Sequence, residues 1–94
     1  MKVYVKLYAG LVESVSEAVL AQQAILAQHP QGVRSGSRLE IELPEGSRLD
    51  DLVNHLALPK GLVKLTFVNF RAEGLEYGLK PGDEVGIFPP IGGG

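Results

Sequence analysis

A chain of 94 residues with 45% hydrophobic content can bury one core, so a single domain over 1–94 is expected. The net charge of −2, with Lys and Arg scattered, argues against a nucleic-acid partner, and the lack of cysteine excludes disulfides, thiolate metal sites and a thiol nucleophile. The two histidines, His29 and His55, lack metal-ligand spacing, and neither a membrane-length apolar run nor a leader is present, so a cytoplasmic protein without metal or membrane contact is expected.

Lys2 to Tyr8 alternates, with Val3, Val5 and Leu7 on one side and Lys2, Tyr4 and Lys6 on the other. That period of two predicts a strand with one buried face. Residues 11–37 read as an insertion. Within it, Ser14-Val15-Ser16-Glu17 fits a capping box, and Val15, Ala18, Val19, Ile25 and Leu26 recur at roughly helical spacing until Pro30. This inserted helix is expected to pack on the sheet edge as an ordinary helix or, as the alternative, to serve as a docking surface. Gln31 to Ser37, rich in Gly and Ser, reads as a loop.

Arg38 to Leu43 alternates again, with Leu39, Ile41 and Leu43 inward, and Pro44-Glu45-Gly46 ends this second strand. Ser47 then reads as an N-cap, with Asp50 and Asp51 in the first turn, where the helix dipole favours negative charge. Leu49, Leu52, Val53 and Leu56 share one face of that short helix, and Pro59 bars its continuation. Leu62 to Phe70 is β-branched and aromatic, a third strand. Arg71 to Gly78 has room for a turn and a brief strand. Lys80-Pro81-Gly82-Asp83 is a strong turn signal, and Glu84 to Phe88 is the last strand.

This order predicts an α+β roll with a helix packed across a twisted sheet of four to five strands. The last strand is a nearly continuous apolar run, as expected of a central strand buried on both faces. Pairing it with the first strand makes the sheet mixed, a β-grasp arrangement whose C-terminal tail, 89–94, leaves from mid-sheet. Pro89-Pro90 reads as a strand terminator and equally as a stiff spacer. Phe88 reads as core or as a contact at the base of the tail. Gly92-Gly93-Gly94 is a tail without Cβ atoms, able to thread a narrow channel, or an ordinary mobile end.

His29 and His55 read as solvated helix-end residues, and Asp50 and Asp51 as first-turn charges rather than an acid–base pair. Tyr4, Tyr8 and Tyr77 are too scattered to suggest a stacking platform.

Taken together, Lys2 to Leu7, Pro44-Glu45-Gly46-Ser47, Val68-Asn69 and the closing Leu79-Lys80-Pro81-Gly82-Asp83-Glu84-Val85-Gly86-Ile87-Phe88-Pro89-Pro90-Ile91-Gly92-Gly93-Gly94 resemble a known family. It is the ubiquitin-like sulfur carriers, which include MoaD, the small subunit of molybdopterin synthase, and the thiamine carrier ThiS. The resemblance covers Met1 to Tyr8 and Arg38 to Gly94, and the aromatic-Pro-Pro element leans toward the molybdopterin branch. Two features depart from the family pattern. The stretch between the first two strands is longer than in compact members, and three terminal glycines stand where two are usual.

The resemblance implies that the Gly94 carboxylate is adenylated by a partner similar to ubiquitin-activating enzymes, which uses ATP. Sulfur from a donor then displaces AMP to leave a thiocarboxylate. Gly92 and Gly93 thread the active site of the large molybdopterin synthase subunit, while Phe88, Pro89, Pro90 and Ile91 contact the partner. The carrier itself binds no cofactor and is not catalytic alone; its partner surface is expected to be an apolar patch on the sheet near Phe88. Other readings are a carrier for thiamine, tRNA or cysteine synthesis, a protein modifier, or a non-catalytic β-grasp interaction module.

Overall fold

The computed structural model describes residues 1–8, 11 and 38–90. The helix expected from Ser14, with His29, and the tail residues Ile91, Gly92, Gly93 and Gly94 lie outside the described residues.

Five strands form the sheet: β1 (Lys2–Leu7), β2 (Arg38–Glu42), β3 (Leu65–Val68), β4 (Arg71–Ala72) and β5 (Glu84–Phe88). Among the described residues one helix, α1 (Leu49–His55), connects β2 toward β3, followed by a 3-10 turn at Lys60–Leu62. The strand order is β2-β1-β5-β3-β4, with β1 and β5 parallel and every other neighbouring pair antiparallel. A mixed sheet with its last strand at the centre and one helix on one face is the β-grasp fold of the α+β class.

Strand alternation sends Val3, Val5 and Leu7 of β1, Leu39 and Ile41 of β2, Val68 of β3, and Val85 and Ile87 of β5 to one face. There they meet Leu49, Leu52 and Val53 of α1, with Leu56, Leu58 and Leu79 closing the core. Burying each such side chain contributes about 1.5–3 kcal/mol, and this face supplies most of the driving force for folding.

β5 is central, as its apolar run predicts, yet it is buried on one face only. Glu84, Gly86 and Phe88 are half-buried on the outward side. The run looks continuous because a glycine and a phenylalanine occupy positions where an exposed strand face normally carries polar residues. The third strand also starts later than expected, at Leu65. Beyond Pro59 the chain first makes a tight turn in which the Leu62 N–H donates to the Pro59 carbonyl at 2.9 Å.

Ser47 is not the helix cap. Its hydroxyl donates back to the Pro44 carbonyl at 2.7 Å, and Arg48 takes the cap position. Arginine has no acceptor for the helix amides, so only half of a capping box forms: Asp51 Oδ2 accepts the Arg48 backbone N–H at 2.8 Å. The helix ends in a Schellman motif, with the Leu58 N–H reaching the Val53 carbonyl and the Ala57 N–H the Asn54 carbonyl. Ala57 adopts the left-handed conformation this requires, with φ of 57°.

The turn before β5 behaves as its residues predict. Gly82 sits at φ 85°, a conformation open to glycine, and the Asp83 N–H donates to the Lys80 carbonyl at 3.1 Å. Gly82 and Asp83 also bond to β1, through Lys2 and Tyr4, which pins the start of β5 alongside β1.

Candidate functional site

The tail exit is set by sheet order. β5 runs parallel to β1 from Tyr4 opposite Glu84 to Leu7 opposite Ile87, and both strands end on the same side of the molecule. From Phe88 the chain passes into half-buried Pro89 and exposed Pro90. Each proline fixes φ and lacks an N–H, so the ladder stops there. Residues 91–94 follow directly.

The outward face of the sheet surrounds this exit. Phe88 is not part of the core; its ring stacks on Tyr8, with centroids 4.4 Å apart and planes 3° from parallel. Phe67 on β3 meets Phe88 edge-on at 5.7 Å and 80°. Such ring pairs contribute about 0.5–1.5 kcal/mol beyond simple burial. Leu65, opposite Phe88 in the ladder, is 45% exposed and extends the apolar surface. Together with Lys6, Phe70, Glu84 and Gly86, the three rings line a depression of about 300 Å³.

Sequence reasoning named Phe88 but missed Tyr8, Phe67 and Phe70. The signal for Tyr8 was available, because parallel pairing of the first and last strands brings it beside Phe88. Phe70 carried no such signal. It lies at the tip of the β3–β4 hairpin, where Asn69 and Phe70 adopt φ of 51° and 70°, the pattern of a type I′ turn.

Charge collects at the β1–β2 side of the same face. The Arg38 guanidinium carbon lies 3.8 Å from the centre of the Tyr4 ring, and Arg38 Nε donates to Glu84 Oε1 at 2.9 Å. The hydrogen bond to Glu84, reinforced by its negative charge, raises the Arg38 pKa above its ordinary value. Lys6, on the rim of the depression, has no ion-pair partner among the described residues.

The remaining sequence candidates lie elsewhere. His55 sits in the last turn of α1 as expected but is half-buried rather than solvated; its Nε2 is shielded with no hydrogen-bond partner among the described residues. Asp50 and Asp51 occupy the first turn, Asp50 held by Arg48 and Asp51 by the cap amide. Tyr77 packs against the core, away from Tyr4 and Tyr8. Among the described residues no group of three or more His, Cys, Asp or Glu is arranged to hold a metal, and no helix is long and apolar enough to cross a membrane.

The sequence pattern of the ThiS family matches residues 5–94. Among solved structures, the chain is similar to SAMP1 from Haloferax volcanii, with 19% identity, a TM-score of 0.61 and full coverage of both chains. A second Haloferax volcanii structure, of small archaeal modifier protein 1, gives 19% identity and a TM-score of 0.58, covering 96% of this chain and 98% of that one. A Pyrococcus furiosus protein, provisionally assigned as molybdopterin converting factor subunit 1, shares 28% identity, with a TM-score of 0.59 and coverage of 97% and 99%. Among curated proteins none matches.

Proposed function

Because the chain belongs to the ThiS family of ubiquitin-like sulfur carriers, we propose that it carries sulfur as a thiocarboxylate on Gly94 and delivers it as the small subunit of a molybdopterin synthase. The observation that carries this reading is the exit geometry: the central strand β5 leads through Pro89-Pro90 out of the sheet beside an aromatic face. A tail launched from that point reaches into a partner's active site while the partner grips the rings behind it. The Pyrococcus furiosus similarity favours the molybdopterin branch over thiamine.

The chemistry proceeds in two steps. The Gly94 carboxylate attacks the α-phosphate of ATP on an adenylating enzyme, which forms an acyl adenylate and releases pyrophosphate. Hydrosulfide from a donor then attacks the acyl carbon, the bond to AMP breaks, and a thiocarboxylate remains. The carrier contributes position: Gly92 and Gly93 thread a narrow tunnel, the two prolines stiffen the approach, and Phe88 and Ile91 contact the partner. The acids, bases and ATP site belong to its partners. A protein-modifier role shares the adenylation step and differs in its acceptor, an amine that forms an amide with Gly94.

Intact mass after incubation with ATP, sulfide and the adenylating enzyme tests the reading. The expected result is a gain equal to exchanging one oxygen for sulfur, located at Gly94 and abolished by deleting Gly93 and Gly94, with folding unchanged. An unchanged mass, with an enzyme proven active on its own carrier, moves the assignment to an interaction module.

A further inference from the structure

β2 is an outermost strand of the sheet, with β1 on one side and no strand on the other among the described residues. Its backbone bonds can be assigned one by one. The Leu43 N–H donates to the Met1 carbonyl at 2.8 Å, and the Met1 ammonium donates to the Leu43 carbonyl at 2.6 Å. Bonded pairs in an antiparallel ladder recur every second residue, so Val3–Ile41 and Val5–Leu39 are the next ones. The other side of β1 agrees: the Tyr4 N–H donates to the Asp83 carbonyl, and the Lys2 carbonyl accepts the Gly82 N–H. The N–H and C=O groups of Glu40 and Glu42 therefore point outward at the edge, and no described residue bonds them.

Such an edge invites another strand, and proteins normally blunt it. The opposite edge is blunted by brevity, because β4 consists of Arg71 and Ala72 alone. β2 is not. It carries no proline, its register with β1 runs unbroken from Arg38 to Glu42, and its inward side chains, Leu39 and Ile41, are apolar. Charge guards it only in part. Arg38 leans over the sheet onto Tyr4 and Glu84, and Lys2 Nζ on β1 holds Glu40 at 3.4 Å. Glu42 is exposed and has no ion-pair partner among the described residues. Just beyond it, Leu43 and Pro44 line an open cleft together with Glu45 and Asp51. Negative charge thus collects at the C-terminal end of the edge.

We propose that the outer edge of β2 is a docking site for an extended, basic segment of a partner protein, which joins the sheet as an added strand. The backbone of Glu40 and Glu42 supplies the ladder bonds. Glu42 and the cleft with Glu45 and Asp51 take a lysine or arginine of the added strand. Alternate side chains of that strand share a face with Glu40 and Glu42, and opposite charges across a ladder stabilise the pairing. A second copy of β2 is the poorer occupant. Antiparallel pairing centred on Glu40 sets that glutamate against its own counterpart, and like charges directly opposite are destabilising. The site goes beyond the carrier reading and does not depend on it. β1 lies between β2 and β5, so the edge and the tail can be engaged together.

The test uses the full chain, isotope-labelled, and a blocked synthetic heptapeptide of alternating lysine and valine, read by amide NMR. In the free chain the Glu40 and Glu42 amides should exchange with solvent quickly, and those of Leu39 and Ile41 slowly. The peptide should shift and protect the Glu40 and Glu42 amides, and added salt should weaken it. Glu40→Pro removes an edge N–H without breaking a ladder bond, so it should keep the fold and weaken the peptide about tenfold. Glu42→Lys should weaken it about fivefold. Where Glu40→Pro melts lower, Glu42→Lys decides, because it leaves the backbone unchanged. Equal affinity of wild type and Glu42→Lys overturns the proposal. So does equal binding of a peptide with glutamate in place of lysine, or no shift at about 1 mM peptide. Slow exchange of the Glu40 and Glu42 amides in the free chain also overturns it, since another part of the chain or a second copy then already pairs with the edge.

Discussion

Asn69 ties the β3–β4 turn to Asp83, the residue that precedes β5: its Nδ2 donates to Asp83 Oδ1 at 3.0 Å. The Asn69 side-chain oxygen also accepts the Glu84 N–H at 3.0 Å, and the Asn69 backbone N–H donates to the Glu84 carbonyl at 2.8 Å. Asp83 is buried and uses its other oxygen on the Lys80 N–H at 2.9 Å. Two loops distant in sequence therefore share one polar network at the root of the strand that launches the tail.

That network predicts coupled mutants. Asn69→Ala strips a buried carboxylate of a donor and places alanine in the left-handed region, so it should destabilise by about 2–3 kcal/mol. Asp83→Ala should cost a similar amount, and the double mutant clearly less than the sum, because each removes the same bond. Urea denaturation of the full cycle decides the point. Additive losses mean that the two residues act independently.

Ala57 offers a gain instead. It completes the Schellman motif at φ 57°, where an L-residue is strained by roughly 1–2 kcal/mol. Ala57→Gly removes that strain but raises the entropy of the unfolded chain, leaving a net stabilisation of about 0.5–1 kcal/mol. Thermal melting should show the rise, and a lower melting temperature means that the Ala57 methyl makes a contact worth more than the strain.

Strand existence, the succession of the strands with helix α1 between the second and third, and the central place of β5 were legible because alternation at Val3-Val5-Leu7 and Leu39-Ile41 reports a one-sided face directly. The one-sidedness of β5 was not, since Gly86 and Phe88 are apolar by type whichever way they point. The cap failed for a related reason: Ser47 has the right chemistry, but its hydroxyl finds the Pro44 carbonyl first, and the helix begins one residue later. Within the site, Phe88 and the prolines were readable from the linear run. Tyr8 followed from the pairing of the first and last strands, whereas Phe67 and Phe70 became neighbours of the exit only through strand register, which no local pattern encodes.

The Arg38–Glu84 pair yields a pH prediction with a definite sign. The hydrogen bond from Arg38 to Glu84 raises the folded-state pKa of Arg38 above its unfolded value. A raised cation contributes its stability in full below the unfolded pKa and loses it only as pH climbs through the raised one. The melting-temperature difference between wild type and Arg38→Met should therefore be flat from pH about 6 to about 10. It should shrink with added salt, because the pair is exposed. A difference that decays steadily across that pH window contradicts this assignment.

Adjacent residues of β5 should separate folding from function. Ile87 is fully buried, and Ile87→Ala should cost about 3–4 kcal/mol through lost burial and the cavity left behind. Phe88 points outward, so Phe88→Ala forfeits the stack on Tyr8 and the edge contact with Phe67, about 1–2 kcal/mol in all. On the carrier reading, the order reverses for adenylation of Gly94. At a temperature where both variants remain folded, Ile87→Ala keeps an intact outward face and a near-normal KM, whereas Phe88→Ala loses the surface beside the exit and its KM rises. Denaturation curves and adenylation kinetics on the same two proteins check both halves. If adenylation instead tracks stability, with Ile87→Ala the poorer substrate, the outward face has no part in recognition and the enzyme reads the tail alone.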